Sequence, residues 1–438
     1  TFEPRAEALD DSGACWLSQG FEALVHALAR HDAQATRQPY DFDVVIVGSG
    51  YGGALAAAQL AGCTLNGGAQ ARPVSVCVLE RGAEYLAGEF PSRFAELAGH
   101  VRFSTASAGA PRGVREGLFD IRIGADVCAL VANGLGGGSL INAGVMEAPL
   151  PGVFERGWPR GIDARTLAPY YKAARKLLGA SDNRITAQRD GQGHPLAPPP
   201  KFEALKRLDA AHTRAVDLSV ALNGGTNVWR VTREACLRCG DCATGCNHGA
   251  KDSLDVGPLA YARRRGAHIY TGATVLRVRA LPDAPHGWQV VVTYTHEKLR
   301  RRQGAPLALR ARRVILAAGA FGSTEILLRS AADGLPLSPA VGQRFSTNGD
   351  AIATVFRTQA FVNAAADETL PPRERNVGPT ITAMIDRRGD PRCRLALQEL
   401  AVPAPLRRLM EEVVTTAATL HDLPAADPAE HRAGPVTR

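Results

Sequence analysis

The run Asp43-Val44-Val45-Ile46-Val47-Gly48-Ser49-Gly50-Tyr51-Gly52-Gly53 constrains this chain more than any other stretch. β-Branched apolar residues lead straight into Gly-x-Gly-x-x-Gly, and the uncharged, alanine-rich Ala54 to Ala61 follows. That order predicts a buried strand, a tight turn and a buried helix. Gly48 permits the turn, Gly50 lets the backbone approach a pyrophosphate, and Gly53 lets helix and strand pack closely. The unpaired N–H groups and the positive end of the helix dipole then receive phosphate charge. Tyr51 and Gly52 lie within the same turn. The next predicted strand, Val74 to Glu80, ends on a carboxylate that can accept hydrogen bonds from an adenosine ribose, with Arg81 beside it. Glu80 lies further from Gly53 than the roughly 20 residues usual for this pattern. A loop at Cys63 to Arg72 accounts for the excess.

Two more glycine junctions follow. Asn133-Gly134-Leu135-Gly136-Gly137-Gly138-Ser139-Leu140-Ile141-Asn142 carries three consecutive glycines between apolar residues. Core packing has no use for them, but a backbone lying against a flat or anionic ligand does. Arg313 to Leu316 reads as a strand entering Ala317-Ala318-Gly319-Ala320, with a helix from Thr324 to Arg329. This is a second strand–glycine–helix unit.

Cys236-x-x-Cys239-x-x-Cys242-x-x-x-Cys246 has the spacing of bacterial iron–sulfur ligands. Asn247 stands where such runs carry proline, and no second run exists. The spacing leaves open a 4Fe–4S or 3Fe–4S cluster, a zinc site, or four reduced thiols.

Composition excludes several classes. At 438 residues, two domains are expected. A hydrophobic content of 45% with 21% charged residues describes a globular chain. The net charge of +8 comes mainly from scattered arginines. The one dense run, Lys298 to Arg302, is expected at a solvated hairpin tip rather than on nucleic acid. Val44 to Ala71 and Val127 to Met146 lack charge but are broken by glycines, so no transmembrane segment is expected. Nine cysteines, four of them clustered, argue against a secreted disulfide framework. With no signal-peptide pattern, a cytoplasmic protein is expected, with peripheral membrane contact left open.

Helices are expected over Gly20 to Arg30, Arg165 to Leu178, Phe202 to Leu222 and Asp255 to Arg265. Strands are expected over Leu118 to Ile123, Val127 to Ala132, His268 to Val278, Trp288 to Thr295, Ala351 to Val362 and Cys393 to Val402.

Four separated motifs, Val44 to Gly53, Gly134 to Asn142, Val314 to Ser330 and Gly342 to Asp350, together resemble the glucose–methanol–choline (GMC) oxidoreductase family. Within it the likeness is to cholesterol oxidases and long-chain alcohol oxidases, and Asn247 to Asp255 shares it. The resemblance implies an α/β fold: a Rossmann-like FAD-binding domain on a parallel sheet with ββα units, and an α+β substrate domain on an antiparallel sheet. The expected division is a prefix at 1–40, an FAD-binding domain at 41–155 and 230–345, a substrate domain at 156–229 and 346–405, and a tail at 406–438. By resemblance, Gly48, Gly50, Gly53 and Glu80 hold the ADP half of FAD. Gly136, Gly137, Gly138, Ser139 and Asn142 line flavin and pyrophosphate. The Val275 backbone meets adenine, and Ala318, Gly319 and Ala320 pack near the cofactor.

The implied reaction is hydride transfer from the CH–OH group of a hydrophobic alcohol, a sterol or a long-chain alcohol. Oxygen, an acceptor protein or a quinone takes the electrons. Some family members also use an iron–sulfur relay. Glu399 is the acid/base candidate, on a segment resembling a substrate-facing strand. Relatives also carry a later His-Pro-x-Gly block. Nothing after Ala401 resembles it, and neither His421 nor His431 fits, so a truncated chain is expected and no catalytic histidine is assigned. The alternative is a non-catalytic flavoprotein or electron-transfer module.

Overall fold

The computed structural model describes residues 16–32, 39–65, 71–105, 111–155, 157–284, 286–355 and 358–420. Its centre is the strand Phe42–Val47, buried along its whole length. Alternate side chains serve opposite faces, as a strand requires. Val45 and Val47 join a core with Phe21, Leu24, Cys77 and Leu79, while Val44 and Ile46 join another with Ala54, Ala57, Val76 and Val78. Each fully buried valine or isoleucine contributes about 1.5–3 kcal/mol. The helix Tyr51–Leu60 covers the second face, and its alanines let it lie close to the sheet.

Seven strands form the main sheet in the order Gln19–Gly20, His268–Thr271, Val76–Leu79, Phe42–Val47, Leu307–Leu316, Trp288–Tyr294, Ala273–Ala280. The first five are parallel, and the last three make an antiparallel meander. A second, antiparallel sheet joins Thr213–Ala215, Ala383–Asp386 and Ala396–Gln398. A third, four-stranded sheet contains Val101–Thr105, Phe119–Ile123 and Cys128–Ala132. The architecture is the expected α/β class: a parallel dinucleotide-type sheet with separate antiparallel sheets. Among the described residues, no helix is long and apolar enough to cross a membrane.

Several expectations need correction. The helix begun at Pro200 ends at Leu208, and Thr213–Ala215 is a strand. Val216, Leu218, Val220 and Leu222 are all buried, a period of two that was misread as helical. The Lys298–Arg302 run lies on the short helix Glu297–Gln303 between two antiparallel strands, still exposed, with Arg301 paired to Glu297 one turn away. Asp255–Leu259 is a widened turn containing Pro258, whose missing N–H breaks the ladder, and the α-helix proper is Ala260–Arg264. Ala351 to Val362 forms no strand among the described residues, and its apolar Ile352 and Val355 are exposed. The strand expected over Cys393 to Val402 shrinks to Ala396–Gln398. The helix Ala404–Leu420 runs across the expected boundary at 406. His421 and His431 lie outside the described residues.

One ion pair secures the start of the central strand. The Asp43 carboxylate takes both Arg72 guanidinium nitrogens, at 2.5 and 2.7 Å, and the Ser75 N–H at 2.9 Å. Burial opposes the charge, but Arg72 and Ser75 outweigh it and hold Asp43 down at about 2. A carboxyl depressed on folding contributes stability above its unfolded pKa and loses it as pH falls towards the folded value. The contribution is therefore full above about pH 4 and lost on descent towards 2. Asp43→Asn should cost on the order of 1–2 kcal/mol at pH 6, allowing for the half-exposed Arg72, about half of that at pH 3, and little below pH 2. Urea unfolding across that range measures it, and an equal penalty at both ends would contradict the assignment.

Candidate functional site

The site lies where the three glycine junctions meet, at the C-terminal ends of Phe42–Val47 and Leu307–Leu316. Ligands in parallel α/β sheets bind at such ends. Gly48 has φ +96°, and a Cβ there would lie 2.5 Å from the Ala317 carbonyl oxygen. A Cβ on Gly53 would lie 2.0 Å from the Gly48 carbonyl oxygen. The protein's own packing thus demands both glycines. Gly50 differs, because a Cβ there would meet nothing within 4 Å. The same is true of Gly138 and Gly319. Gly319 is required by its own backbone at φ +73°, but neither packing nor backbone conformation explains Gly50 and Gly138, whereas a ligand lying across them does.

The junctions are locked together. A Cβ on Gly137, at φ +55°, would come within 2.8 Å of the Gly50 Cα, so the triple-glycine turn rests directly on the first loop. The Gly136 N–H donates to Ser49 Oγ at 3.0 Å, and Ser49 Oγ donates to Glu80 Oε2 at 2.5 Å. The Ser49 and Gly82 N–H groups complete three donors on Glu80, leaving acceptor capacity on its carboxylate. Ser139 Oγ donates to the Gly136 carbonyl and accepts from the Leu254 N–H. Asn142 Nδ2 donates to the Tyr51 hydroxyl at 2.7 Å, and burial raises the Tyr51 pKa. Ala317 Cβ lies against Gly52 and Gly53, bringing Ala318, Gly319 and Ala320 to the same edge.

The remaining expected residues are placed as follows. Arg81 is turned aside, donating to Asn133 Oδ1 at 2.6 Å and pairing with Asp120 at 2.8 Å. Gly134 packs on Leu140 and bridges to Ala83. Val275 is buried in its strand at a register shift. Glu399 is the residue expected as acid/base. It pairs with the buried Lys201 at 2.8 Å and accepts from the Thr382 N–H at 2.7 Å, the Ala383 N–H at 3.0 Å and the Thr382 hydroxyl. Both its oxygens are engaged, by Lys201 from the helix Pro200–Leu208 and by Thr382 and Ala383 beside the second sheet.

Cys236, Cys239, Cys242 and Cys246 line one small closed void with His248, Lys251, Gly378 and Pro379. Gly240 and Gly245, both at positive φ, fold the loop back on itself. All four are free thiols, and among the described residues no cysteine set has closed to metal-bonding geometry. Burial, then the neighbouring sulfurs, push the Cys236 thiol to about 12, and burial raises Cys239 and Cys242 as well. Bare, these are inert protonated thiols, and metal ligation would have to displace their protons. Asp241 anchors the loop through Arg375 at 2.7 Å and the Ala404 N–H at 2.8 Å.

Lys251 carried no role in the sequence. Its buried ammonium donates to the carbonyls of Leu140, Asn142 and Cys242 at 3.0, 2.6 and 3.0 Å. It therefore joins the triple-glycine segment to the cysteine loop. Burial pushes its pKa down to about 8, against the pull of Cys242 and Cys246. Its one sequence signal was a lone lysine among small residues in Asn247 to Asp255.

Residues 42–348 match the family model described as GMC oxidoreductase. A cholesterol oxidase of Acinetobacter baumannii is 28% identical over 342 residues, 72% of this chain and 56% of that protein. A cholesterol oxidase of Mycobacterium tuberculosis is 29% identical over 364 residues, covering 80% and 57%. The chain thus spans little more than half the length of these curated relatives. Among solved structures, a fungal aryl-alcohol oxidase matches with a TM-score of 0.39 and 15% identity, over 67% of this chain and 48% of the other.

Proposed function

Because the chain belongs to the GMC oxidoreductase family, we propose that it takes part in FAD-dependent oxidation of the CH–OH group of a hydrophobic alcohol, a sterol or long-chain alcohol. One observation carries the reading. The Gly137 backbone rests on Gly50 while the space over Gly50, Gly138 and Gly319 is open, a cradle that Cβ atoms would fill. Bound FAD would supply the hydride acceptor. The chain supplies binding and orientation. The N-terminal N–H groups of Tyr51–Leu60 meet the pyrophosphate charge, Glu80 offers its remaining acceptor capacity to a ribose, and Gly136 to Asn142 line the flavin. Ser49, bonded to both Glu80 and Gly136, keeps these parts in register.

Cys236, Cys239, Cys242 and Cys246 would, on this reading, hold an iron–sulfur centre, which would supply single-electron transfer towards a protein or quinone acceptor. Without it, oxygen takes that place. Support comes from the ligand spacing and from the common void. The test uses anaerobically purified protein. Cholesterol or a long-chain alcohol should bleach its flavin absorbance, and iron should be present. Cys239→Ser should lose the iron, keep the flavin, and slow transfer to an external acceptor more than reduction by substrate. Flavin that no alcohol bleaches would sink the alcohol reading. Iron-free anaerobic protein would sink the relay.

A further inference from the structure

Leu140, the last residue of the triple-glycine turn, also lines a cavity of about 670 Å³. Small-molecule sites span roughly 300–1,000 Å³. Apolar side chains supply most of the wall: Trp16 and Leu17 ahead of the first strand, Tyr85 and Phe90 after Glu80, and Val256.

Most charged groups around this cavity are already engaged. Glu84 accepts the Leu17 and Ser18 N–H groups, both at 2.8 Å, and the Ser18 hydroxyl at 2.6 Å. Arg233 pairs with Asp252 at 3.2 Å and donates to the Lys251 carbonyl. Arg263 donates to the Leu17 carbonyl at 3.1 Å, and Arg264 to the Trp229 carbonyl at 2.6 Å. Asp255 is the exception. Its carboxyl lines the cavity, yet its buried Oδ1 has no hydrogen-bond partner among the described residues. Burial raises its pKa, and the Ser253 hydroxyl and the Arg233 charge oppose the rise.

A buried carboxyl short of partners costs free energy, and apolar surface gains when water leaves it. Water could meet the carboxyl but would leave the apolar wall wet. A carboxylate ligand would face Asp255 and Glu84, and an ammonium would face Arg233, Arg263 and Arg264. A neutral apolar molecule with one hydroxyl answers both demands. Its hydroxyl donates to the ionised carboxyl, and can either donate to or accept from the protonated one.

We propose that this cavity binds a neutral, hydroxyl-bearing apolar molecule, a sterol or an open-chain alcohol, with its hydroxyl on the Asp255 carboxyl. The site goes beyond the redox reading, since it requires neither flavin reduction nor a metal.

The test uses the flavin-loaded chain and isophytol, a long tertiary alcohol. Its carbinol carbon has no hydrogen to lose as hydride, so binding is read without turnover. Phytane and phytanic acid offer the same skeleton with no polar group and with a carboxylate. Equilibrium dialysis should rank isophytol tightest, with phytane weaker by about 3- to 10-fold. Asp255→Leu should abolish that difference, and Asp255→Asn should keep it. Ala87→Trp, at an exposed position on the cavity wall, should weaken isophytol by about 5- to 150-fold. Cholesterol and hexadecanol, each competed against isophytol, distinguish sterol from open chain, and displacement by neither would overturn the proposal. Equal wild-type affinity for isophytol and phytane, or tighter binding of phytanic acid, would also overturn it, as would unchanged isophytol binding in Ala87→Trp. If Asp255→Leu does not fold, the ligand ranking and Ala87→Trp decide.

Discussion

Gly50→Val should give a folded protein that has lost FAD. The usual objection to a glycine substitution is that it damages the fold, and two of the loop's glycines show why. Gly48 and Gly53 could not accept a side chain without striking backbone at 2.5 and 2.0 Å. Gly50 stands in open space, with an extended backbone at φ −67° that any residue adopts. A Cβ there meets no protein atom within 4 Å, so a valine projects into the volume a pyrophosphate would cross. Forcing such an overlap costs about 1–3 kcal/mol, or about 5- to 150-fold in affinity. Flavin absorbance per protein should fall accordingly, with circular dichroism unchanged and the melting temperature matching that of flavin-stripped wild type. Full flavin content in a folded Gly50→Val would show that the cofactor passes elsewhere.

Glu399→Gln should act mainly on stability. Lys201 is fully buried, and Glu399 is its only carboxylate partner among the described residues. Burial already lowers the Lys201 pKa, with Glu399 opposing that shift. Removing one member of a buried pair strands the other, at about 3–5 kcal/mol. The denaturant midpoint should drop sharply, and Lys201→Met added to Glu399→Gln should recover part of the loss, since no charge is then stranded. A base would behave differently. If Glu399→Gln melts like wild type yet abolishes alcohol turnover, the acid/base role is restored.

These two residues also mark how far the sequence could be read. Gly48, Gly50 and Gly53 were legible because each answers a local demand: a turn, an approach, a close packing. The strands and helix around them follow from periodicity within a dozen residues. Val216 to Leu222 was misread because alternating and helical patterns overlap in a short apolar run, and only pairing with a distant strand decides. Glu399 could be placed on its segment but not given its partner, since Lys201 lies 198 residues away. Lys251 was invisible for the same reason, since the Leu140 and Asn142 carbonyls it binds lie 111 and 109 residues away.

The contacts of Asp241 have a bearing on the order of folding. Its carboxylate receives the first N–H of the helix Ala404–Leu420 across 163 residues and the Arg375 guanidinium across 134. Contacts so remote in sequence carry a loop-closure cost and form late. On a ribosome adding residues from the N-terminus, the cysteine segment emerges long before the arginine and the helix that fasten it. For that interval its four thiols are unshielded, and the chain is most open to oxidation or to capture of a stray metal. A chaperone or a reducing environment would matter most then, and least once Ala404 has docked.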